Sequence, residues 1–462
     1  MYNLRIEPLW TTIGPLEPGA TAMHPLITAL NNVLTYQPTN SGPFMYLLKY
    51  IGNRTWQFPT GLLERVEPTL ASTGIQLVRT EARPKLQRGQ FEASTFPIRT
   101  YQASAIMSLL NAARPGGILQ AATGAGKTAM AAKLIQTMRV RTLFVVHTKD
   151  LMKQAHDAFR KFLNIEVGQI GDGKDNILPV TVATIQTLAK GRHDDYLRQV
   201  ELVIFDECHH VAAPTLYTVR GKMADCPLVV GLSASPWRDD GHDLLIEAAC
   251  GPVRYRVTAS DLVQQGYLVA PDIHIYRRQI APELRTRKAA TTLGYAKAYQ
   301  DIVVRDPARL RLVTRLAKEQ LRLGRRLLVL VKHIEHGEAL SALIPGSVFV
   351  EGSDSVADRA GAFDRFRSGA VQCLIGTSLC DEGVDIPAAD ALILAGAGAS
   401  STRALQRIGR VIRPAPGKSS AYVADIVDEH PVFKRQFYAR NKIYQTEALF
   451  RSQTIQVPLD QQ

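Results

Sequence analysis

The sequence predicts an α/β protein in which a small N-terminal α+β domain precedes two tandem lobes, each built on a parallel sheet. Three observations carry this reading. From about Leu119 onward, short apolar strands alternate with helix-length segments, the pattern left by parallel strands joined through crossover helices. The strands fall into two groups, separated by a strongly basic stretch and by Pro271, Pro282 and Pro307. Residues 1 to about 95 have another texture, with Pro and Gly punctuation.

In the first 95 residues the apolar pattern predicts a strand at Phe44–Ile51 and an amphipathic helix from Gly61 to about Leu70. The first lobe, expected over 96–258, has strand signals at Leu143–His147, Val180–Thr184, Leu202–Phe205 and Leu228–Leu232. A basic connector is expected over 259–305. The second lobe, over 306–430, has strand signals at Leu327–Val331, Val348–Val350, Cys373–Thr377, Ala391–Ala395 and Tyr422–Val427. Residues 431–462 are expected to form a C-terminal helix and tail.

At 462 residues the chain has room for two to four domains, which excludes a peptide hormone or a bare DNA-binding module. It is 46% hydrophobic and 21% charged, and no apolar run reaches the ~18 residues of a membrane span. The start Met-Tyr-Asn-Leu-Arg-Ile-Glu does not read as a secretion signal, so a soluble protein of the cytoplasm, acting without a membrane, is expected. Five cysteines, with no Cys-x-x-Cys pair, argue against a disulfide framework and a zinc ribbon. The net charge of +13 favours polyanionic partners, and it is local: Arg277 to Arg326 holds 14 Lys/Arg against 4 Asp/Glu.

Two segments carry phosphate chemistry. Ala121-Ala122-Thr123-Gly124-Ala125-Gly126-Lys127-Thr128 follows a short apolar strand and opens a helical pattern, the context of a phosphate-binding loop, with Ala121 where the first glycine is usual. Backbone N–H groups of Thr123, Gly124, Ala125 and Gly126 would converge on phosphate oxygens at a helix N-terminus. Lys127 would neutralise the β and γ phosphates, and Thr128 would complete a Mg²⁺ shell. Val203-Ile204-Phe205 then runs into Asp206-Glu207-Cys208-His209-His210 at the ligand-binding edge of a parallel sheet. Asp206 would hold Mg²⁺ through water, and Glu207 would orient and deprotonate the attacking water.

These elements and the motifs that follow resemble, in order, those of superfamily 2 helicases and translocases from about Phe96 to Tyr444. The resemblance implies two RecA-like lobes, ATP and Mg²⁺. Ile98-Arg99-Thr100-Tyr101-Gln102 is similar to the adenine-reading segment, where Arg99 and Gln102 would meet the nucleotide. Thr148 and Thr184 stand in segments similar to those touching a nucleic-acid backbone. Gly231-Leu232-Ser233-Ala234-Ser235-Pro236 resembles the motif that couples hydrolysis to movement, a role implied for His209, Ser233 and Ser235. In Gly376-Thr377 through Gly383-Val384-Asp385 the resemblance assigns Thr377 to the nucleic acid and Gly383 and Asp385 to the nucleotide. Gln406-Arg407-Ile408-Gly409-Arg410-Val411-Ile412-Arg413 matches the last motif, with Gln406, Arg410 and Arg413 in catalytic roles. A spacing of three puts both arginines on one helix face, as fingers reaching the γ-phosphate when the lobes close.

The Asp-Glu-Cys-His-His box, Gln406, and Trp237-Arg238-Asp239-Asp240 resemble the XPB and phage UvsW-like group, in which Arg238 would lie near separating strands. This implies an ATP-dependent DNA helicase or translocase, a monomer, remodelling forks and junctions in replication, repair or recombination, beside proteins of those processes. DNA, branched or duplex, is expected over RNA. The alternatives are the motor subunit of a restriction system, an RNA helicase, and an ATP-gated nucleic-acid clamp with little turnover.

The region through Tyr50, Trp56 and Phe58 resembles that group's small DNA-binding domain, against a capping domain without DNA contact; two of these three rings are expected in its core. Arg311, Arg315, Lys318 and Arg322 share one helix face, either tracking phosphates or simply solvated. The helix beginning near Phe433 is expected to pack on the second lobe with its arginines exposed.

Overall fold

Strands form where β-branched and large apolar residues run together and both sheet faces are covered. Val180–Thr184 and Leu202–Phe205 are such runs, every residue buried. The structure, a computed structural model, describes residues 2–19, 24–37, 43–209, 213–234, 242–285, 294–377, 389–396, 407–415 and 417–459. Ser235, Arg238, Gly383, Asp385 and Gln406 therefore lie outside the described residues. The chain divides into two compact units, Met1–Ala121 with Gly126–Val257, and Ala122–Ala125 with Thr258–Gln462.

The first unit holds two sheets. A five-stranded sheet runs in the order Lys49–Gly52, Thr55–Pro59, Trp10–Gly14, Tyr2–Ile6, Leu77–Glu81. Helices Pro25–Leu34 and Leu63–Ser72 bury Leu26, Leu30, Leu63 and Val66 with Leu4, Ile13, Trp56 and Phe58 of the sheet. The strand expected at Phe44–Ile51 is broken into Met45–Tyr46 and Lys49–Gly52, because Leu47 and Leu48 turn into the core. Trp56 and Phe58 are core and Tyr50 is exposed, as the pattern suggested. The second sheet has eight strands in the order Lys174–Asn176, Gly168–Gly171, Val180–Thr184, Thr142–Val146, Leu202–Phe205, Leu228–Ser233, Gly117–Ala121, Val253–Val257, parallel except for its first pair.

The small domain is bolted to this sheet's helices. Gly61, entering helix Leu63–Ser72, lies so close to the last turn of helix Asp243–Cys250 that a Cβ would come within 2.3 Å of the Glu247 carbonyl oxygen. Only glycine permits that approach. Around it Arg254 grips Glu64 with both terminal nitrogens (2.5 and 2.7 Å), Arg114 meets Glu67 (2.8 Å), and Arg65 meets Glu247 (2.5 Å).

The second unit carries a seven-stranded sheet, parallel throughout, ordered Ser347–Val350, Cys373–Gly376, Leu327–Leu330, Ala391–Leu394, Ser420–Asp428, Ala270–Arg278, Arg451–Val457. Two of these strands correct the expected organisation. Ala270–Arg278, inside the expected connector, is an interior strand between Ser420–Asp428 and Arg451–Val457. Arg451–Val457, inside the expected tail, is the sheet's edge. Both carry polar or charged residues among the apolar ones, and long-range pairing, not local propensity, makes them strands.

The basic stretch is partly internal. Arg278 and Arg309 are buried on one carboxylate, Asp428, at 2.5 and 3.0 Å, and Arg278 also meets Asp306 at 2.6 Å. Arg311, Arg315, Lys318 and Arg322 form an exposed stripe on helix Pro307–Arg322, whose other face buries Leu312, Val313, Leu316 and Ala317. Helix Pro431–Thr446 buries Phe433, Phe437 and Tyr444, and, against expectation, Arg440. Burial of Arg440 is compensated by a two-pronged pair with Asp425 at 2.7 and 3.0 Å. Among the described residues, no helix is long and apolar enough to cross a membrane.

Asp428→Asn removes the shared counter-charge of two buried guanidinium groups, and a loss of about 3–5 kcal/mol is expected in denaturant unfolding of the second unit. His336 is fully buried with neither ring nitrogen hydrogen-bonded. Burial, with Arg309 nearby, pulls its pKa down to about 3. The unfolded chain therefore takes up a proton that the folded chain refuses. The contribution of neutral His336 is complete above the ordinary histidine pKa and is lost as pH falls from there toward about 3. Denaturation midpoints measured from pH 7 to pH 4 are expected to fall, and His336→Leu to flatten the slope.

Candidate nucleotide site

Three neighbouring strands of the first unit end at one edge: Leu202–Phe205, Leu228–Ser233 and Gly117–Ala121. From the last, the chain turns through Ala122–Ala125 into helix Lys127–Met138. Gly124 and Gly126 take positive φ (90° and 78°), which tightens the turn and brings the loop to the helix N-terminus. Ala125 is buried, and its N–H donates to the Ala122 carbonyl (3.0 Å). Thr128, half-buried, sits in the helix's first turn.

The Lys127 ammonium lies 3.0 Å from Glu207 Oε1 and donates to the Ala121 carbonyl (3.3 Å). The basic loop and the acidic strand end thus meet in space, about eighty residues apart in sequence. Burial, followed by the neighbouring Glu207 charge, pushes the Asp206 carboxyl above the usual range, with Lys127 opposing. The Glu207 N–H donates to Asp206 Oδ1 (3.1 Å). Glu207 itself has φ +44°, a left-handed conformation costly for a residue with a Cβ. Buried His209 joins through its Nδ1, 2.7 Å from Ser233 Oγ and 3.5 Å from Glu207 Oε2. These residues form one cluster.

Gln102 is buried at the start of helix Thr100–Leu110, its Oε1 accepting from the Arg99 N–H (2.9 Å). Its amide nitrogen lies against Gly126, where a Cβ would stand 2.6 Å from it. Gln102 therefore borders the phosphate loop, while the Arg99 side chain is exposed at the helix cap. In the second unit, which includes Ala122–Ala125, Gly409 packs so tightly on Thr123 that a Cβ would lie 2.4 Å from that side chain's Cβ. Arg410 is buried, and burial lowers the pKa of Arg413. Helix 407–411 ends before Arg413, so the two arginines do not both stand within one regular helix.

The residues expected at a nucleic-acid backbone are placed less uniformly. The Thr148 hydroxyl caps helix Lys149–Leu163, accepting from the Leu151 N–H (3.2 Å). Thr184 is buried, its hydroxyl 2.8 Å from that of Thr187. Thr377 is buried at the end of strand Cys373–Gly376. Unforeseen in the sequence was the neighbour of Cys208: Cys250, 42 residues away, shares its core cluster, and both side chains lie against Gly231. No periodicity or motif marks that contact.

A glycine-rich loop at a helix N-terminus, a lysine, and paired carboxylates at the C-terminal edge of a parallel sheet are fitted to hold a nucleoside triphosphate with a divalent cation. They define a phosphate-loop nucleoside triphosphatase with a second α/β unit. Residues 95–238 match the family described as type III restriction enzyme, res subunit, and residues 310–415 match the helicase conserved C-terminal domain. The chain is 27% identical over 353 residues to the DNA 3'-5' translocase XPB2 of Sulfurisphaera tokodaii, covering 68% of this chain and 78% of that protein. It is 29% identical over 360 residues to the DNA 3'-5' helicase XPB of Kineococcus radiotolerans, covering 75% of this chain but 62% of that protein. With the ATP-dependent DNA helicase uvsW of Enterobacteria phage T4 it shares 26% identity over 364 residues, 74% of this chain and 70% of that protein. A solved structure of the type ISP restriction-modification enzyme LlaBIII shares the fold, with a TM-score of 0.60 at 14% identity over 80% of this chain and 32% of that one. The chain belongs to the superfamily 2 helicases, of the XPB/UvsW-like type, and is an ATP-hydrolysing enzyme.

Lys127→Ala is expected to lower steady-state ATP hydrolysis at least ~100-fold, the scale of losing one preorganised electrostatic contact to a reacting group. Circular dichroism should be unchanged, since Lys127 is not a core residue; hydrolysis surviving the change would remove Lys127 from the reaction.

Proposed function

We propose that this protein is an ATP-dependent DNA helicase or translocase that remodels branched DNA such as forks and junctions. The observation that carries the motor is the Lys127–Glu207 contact, which unites a phosphate loop with a water-activating carboxylate. Relatives named as DNA 3'-5' helicases and translocases support DNA as the track and 3'-5' as the polarity.

In this reading Lys127 takes the β and γ phosphates, Gln102 and Arg99 meet the adenine side, and Thr128 and Asp206 would hold Mg²⁺. The cation would supply charge neutralisation of the phosphates. Glu207 orients the attacking water and accepts its proton. Because Lys127 serves both the phosphates and Glu207, phosphate binding alters the charge beside the base. His209 and Ser233 pass the change along the strand edge. Arg410 and Arg413 are assigned to the γ-phosphate, and Thr148, Thr184 and Thr377 to the DNA backbone. For Thr184 that role requires its hydroxyl to leave Thr187.

The N-terminal domain is assigned a DNA contact of its own. Phe44, Tyr46 and Tyr50 are each about 60% exposed, beside exposed Lys49 and Arg54, and residues 43–60 contain no carboxylate. Exposed rings among cations suit base stacking and phosphate attraction. The protein is taken to act as a monomer alongside replication or recombination proteins.

ATP hydrolysis is to be measured with equal phosphate concentrations of single-stranded DNA, linear duplex, a model fork, a four-way junction and single-stranded RNA. The fork and junction are expected to stimulate most, and Tyr46→Ala with Tyr50→Ala to lower that stimulation several-fold while leaving DNA-free turnover intact. Equal stimulation by all DNAs would reduce the reading to a general translocase. A response to RNA alone would make it an RNA helicase. DNA cleavage with an added nuclease partner would favour the restriction motor.

A further inference from the structure

We propose that the N-terminal domain is also a working part of the hydrolytic site, because it seats Glu207 through helix Asp243–Cys250. This rests on the reading of Glu207 as the water-activating base, and is separate from any DNA contact that the domain makes.

Glu207 needs external support. Its φ of +44° is one that glutamate does not favour by itself, so the surroundings must hold it. The holding falls to the next residue. The Cys208 N–H donates to the Leu232 carbonyl (3.0 Å), and its side chain is fully buried beside Gly231, in a core cluster shared with Ile118 and Cys250. A Cβ at Gly231 would lie 3.1 Å from Cys208 Sγ, 3.2 Å from Ile118 Cγ1 and 3.3 Å from Cys250 Cβ. A methyl group at 231 would require these neighbours to give by a few tenths of an ångström, and Cys250 is one of them.

Cys250 is the last residue of the two-turn helix Asp243–Cys250. One turn back, the same helix belongs to the N-terminal domain. The Glu247 and Ala248 carbonyls lie against Gly61, the Glu247 carboxylate holds Arg65, and Ala248 is a member of that domain's core. A helix of eight residues has little stability of its own, so packing on its two sides sets where it stands. A displaced N-terminal domain would shift Cys250, loosen the packing around Cys208 and let Glu207 relax toward ordinary backbone angles. Gly61 and Cys250 are thus positioning residues. Because the group they seat is the water-activating base, their expected effect is on turnover and not on nucleotide capture.

The test uses the full chain and measures kcat and KM for ATP. Gly61→Ala, which drives a methyl group into backbone carbonyls, and Cys250→Leu, which overfills that packing, are expected to lower kcat roughly 10–100-fold, the scale of a misplaced reacting group. KM should stay within about twofold. Cys250→Ser, which keeps size, should retain kcat within about twofold. Glu247→Arg should lower kcat, and adding Arg65→Glu should restore it; this pair decides alone if Gly61→Ala does not fold. Folded variants with wild-type kcat, or with kcat and KM altered alike, would overturn the seating while leaving the motor intact. A wild-type chain that hydrolyses no ATP would overturn both.

Discussion

Parallel pairing of strands Leu202–Phe205, Leu228–Ser233 and Gly117–Ala121 is the constraint on which the first unit's chemistry depends. Parallel strands release their chains at the same edge, and neighbours lie ~4.8 Å apart. Phe205 pairs with Gly231, itself opposite Ile118, and Ser233 pairs with Gln120, so all three strands end at the same edge, with Leu202–Phe205 stopping two to three residues before its neighbours. The acidic segment and the phosphate loop are then separated by one intervening strand, a gap that a lysine and a glutamate can close. The Lys127–Glu207 contact and the His209–Ser233 contact both follow from that strand order. A different order with the same strands would have separated the same motifs.

The charge of the chain does two jobs that its total does not distinguish. Arg278, Arg309 and Arg440 are cations in the sequence count, yet in the fold they are internal braces bound to Asp428 and Asp425. Arg220 is likewise buried, its guanidinium donating to the Met223 and Pro8 carbonyls. Each fastens a strand or loop that would otherwise end in an unsatisfied polar interior. The field outside comes from the remainder, including the Arg311–Arg322 stripe and the Lys49 and Arg54 pair beside exposed rings. Because the carboxylates that hold Arg278, Arg309 and Arg440 are already subtracted in the net charge of +13, these internal pairs leave the excess positive charge to the remaining cations.

Runs buried on both faces were legible, because solvent excluded from both sides leaves a continuous apolar signature. Val180–Thr184 and Leu202–Phe205 have the bounds their sequences predict. Ala270–Arg278 and Arg451–Val457 were not legible, since each interleaves charged or polar residues and owes its conformation to a neighbour far along the chain. The nucleotide cluster was legible to the extent that it is made of contiguous motifs. The Thr184–Thr187 contact, the cap made by Thr148 and the placing of Cys208 beside Cys250 were not, because a hydroxyl or thiol has many neighbours within reach and only packing selects one.

By itself, then, the sequence determined the two α/β lobes and small leading domain, the phosphate loop at 121–128, the acidic pair at 206 and 207, and the family. These are properties of local spacing, where glycines, lysine and carboxylates impose their own geometry. Tertiary structure alone decided that Glu207 sits in a left-handed conformation, that Lys127 lies on it, and that helix Asp243–Cys250 is shared by the small domain and the acidic box. Those depend on close packing between segments remote in sequence, where each ångström is set by neighbours that no local pattern names.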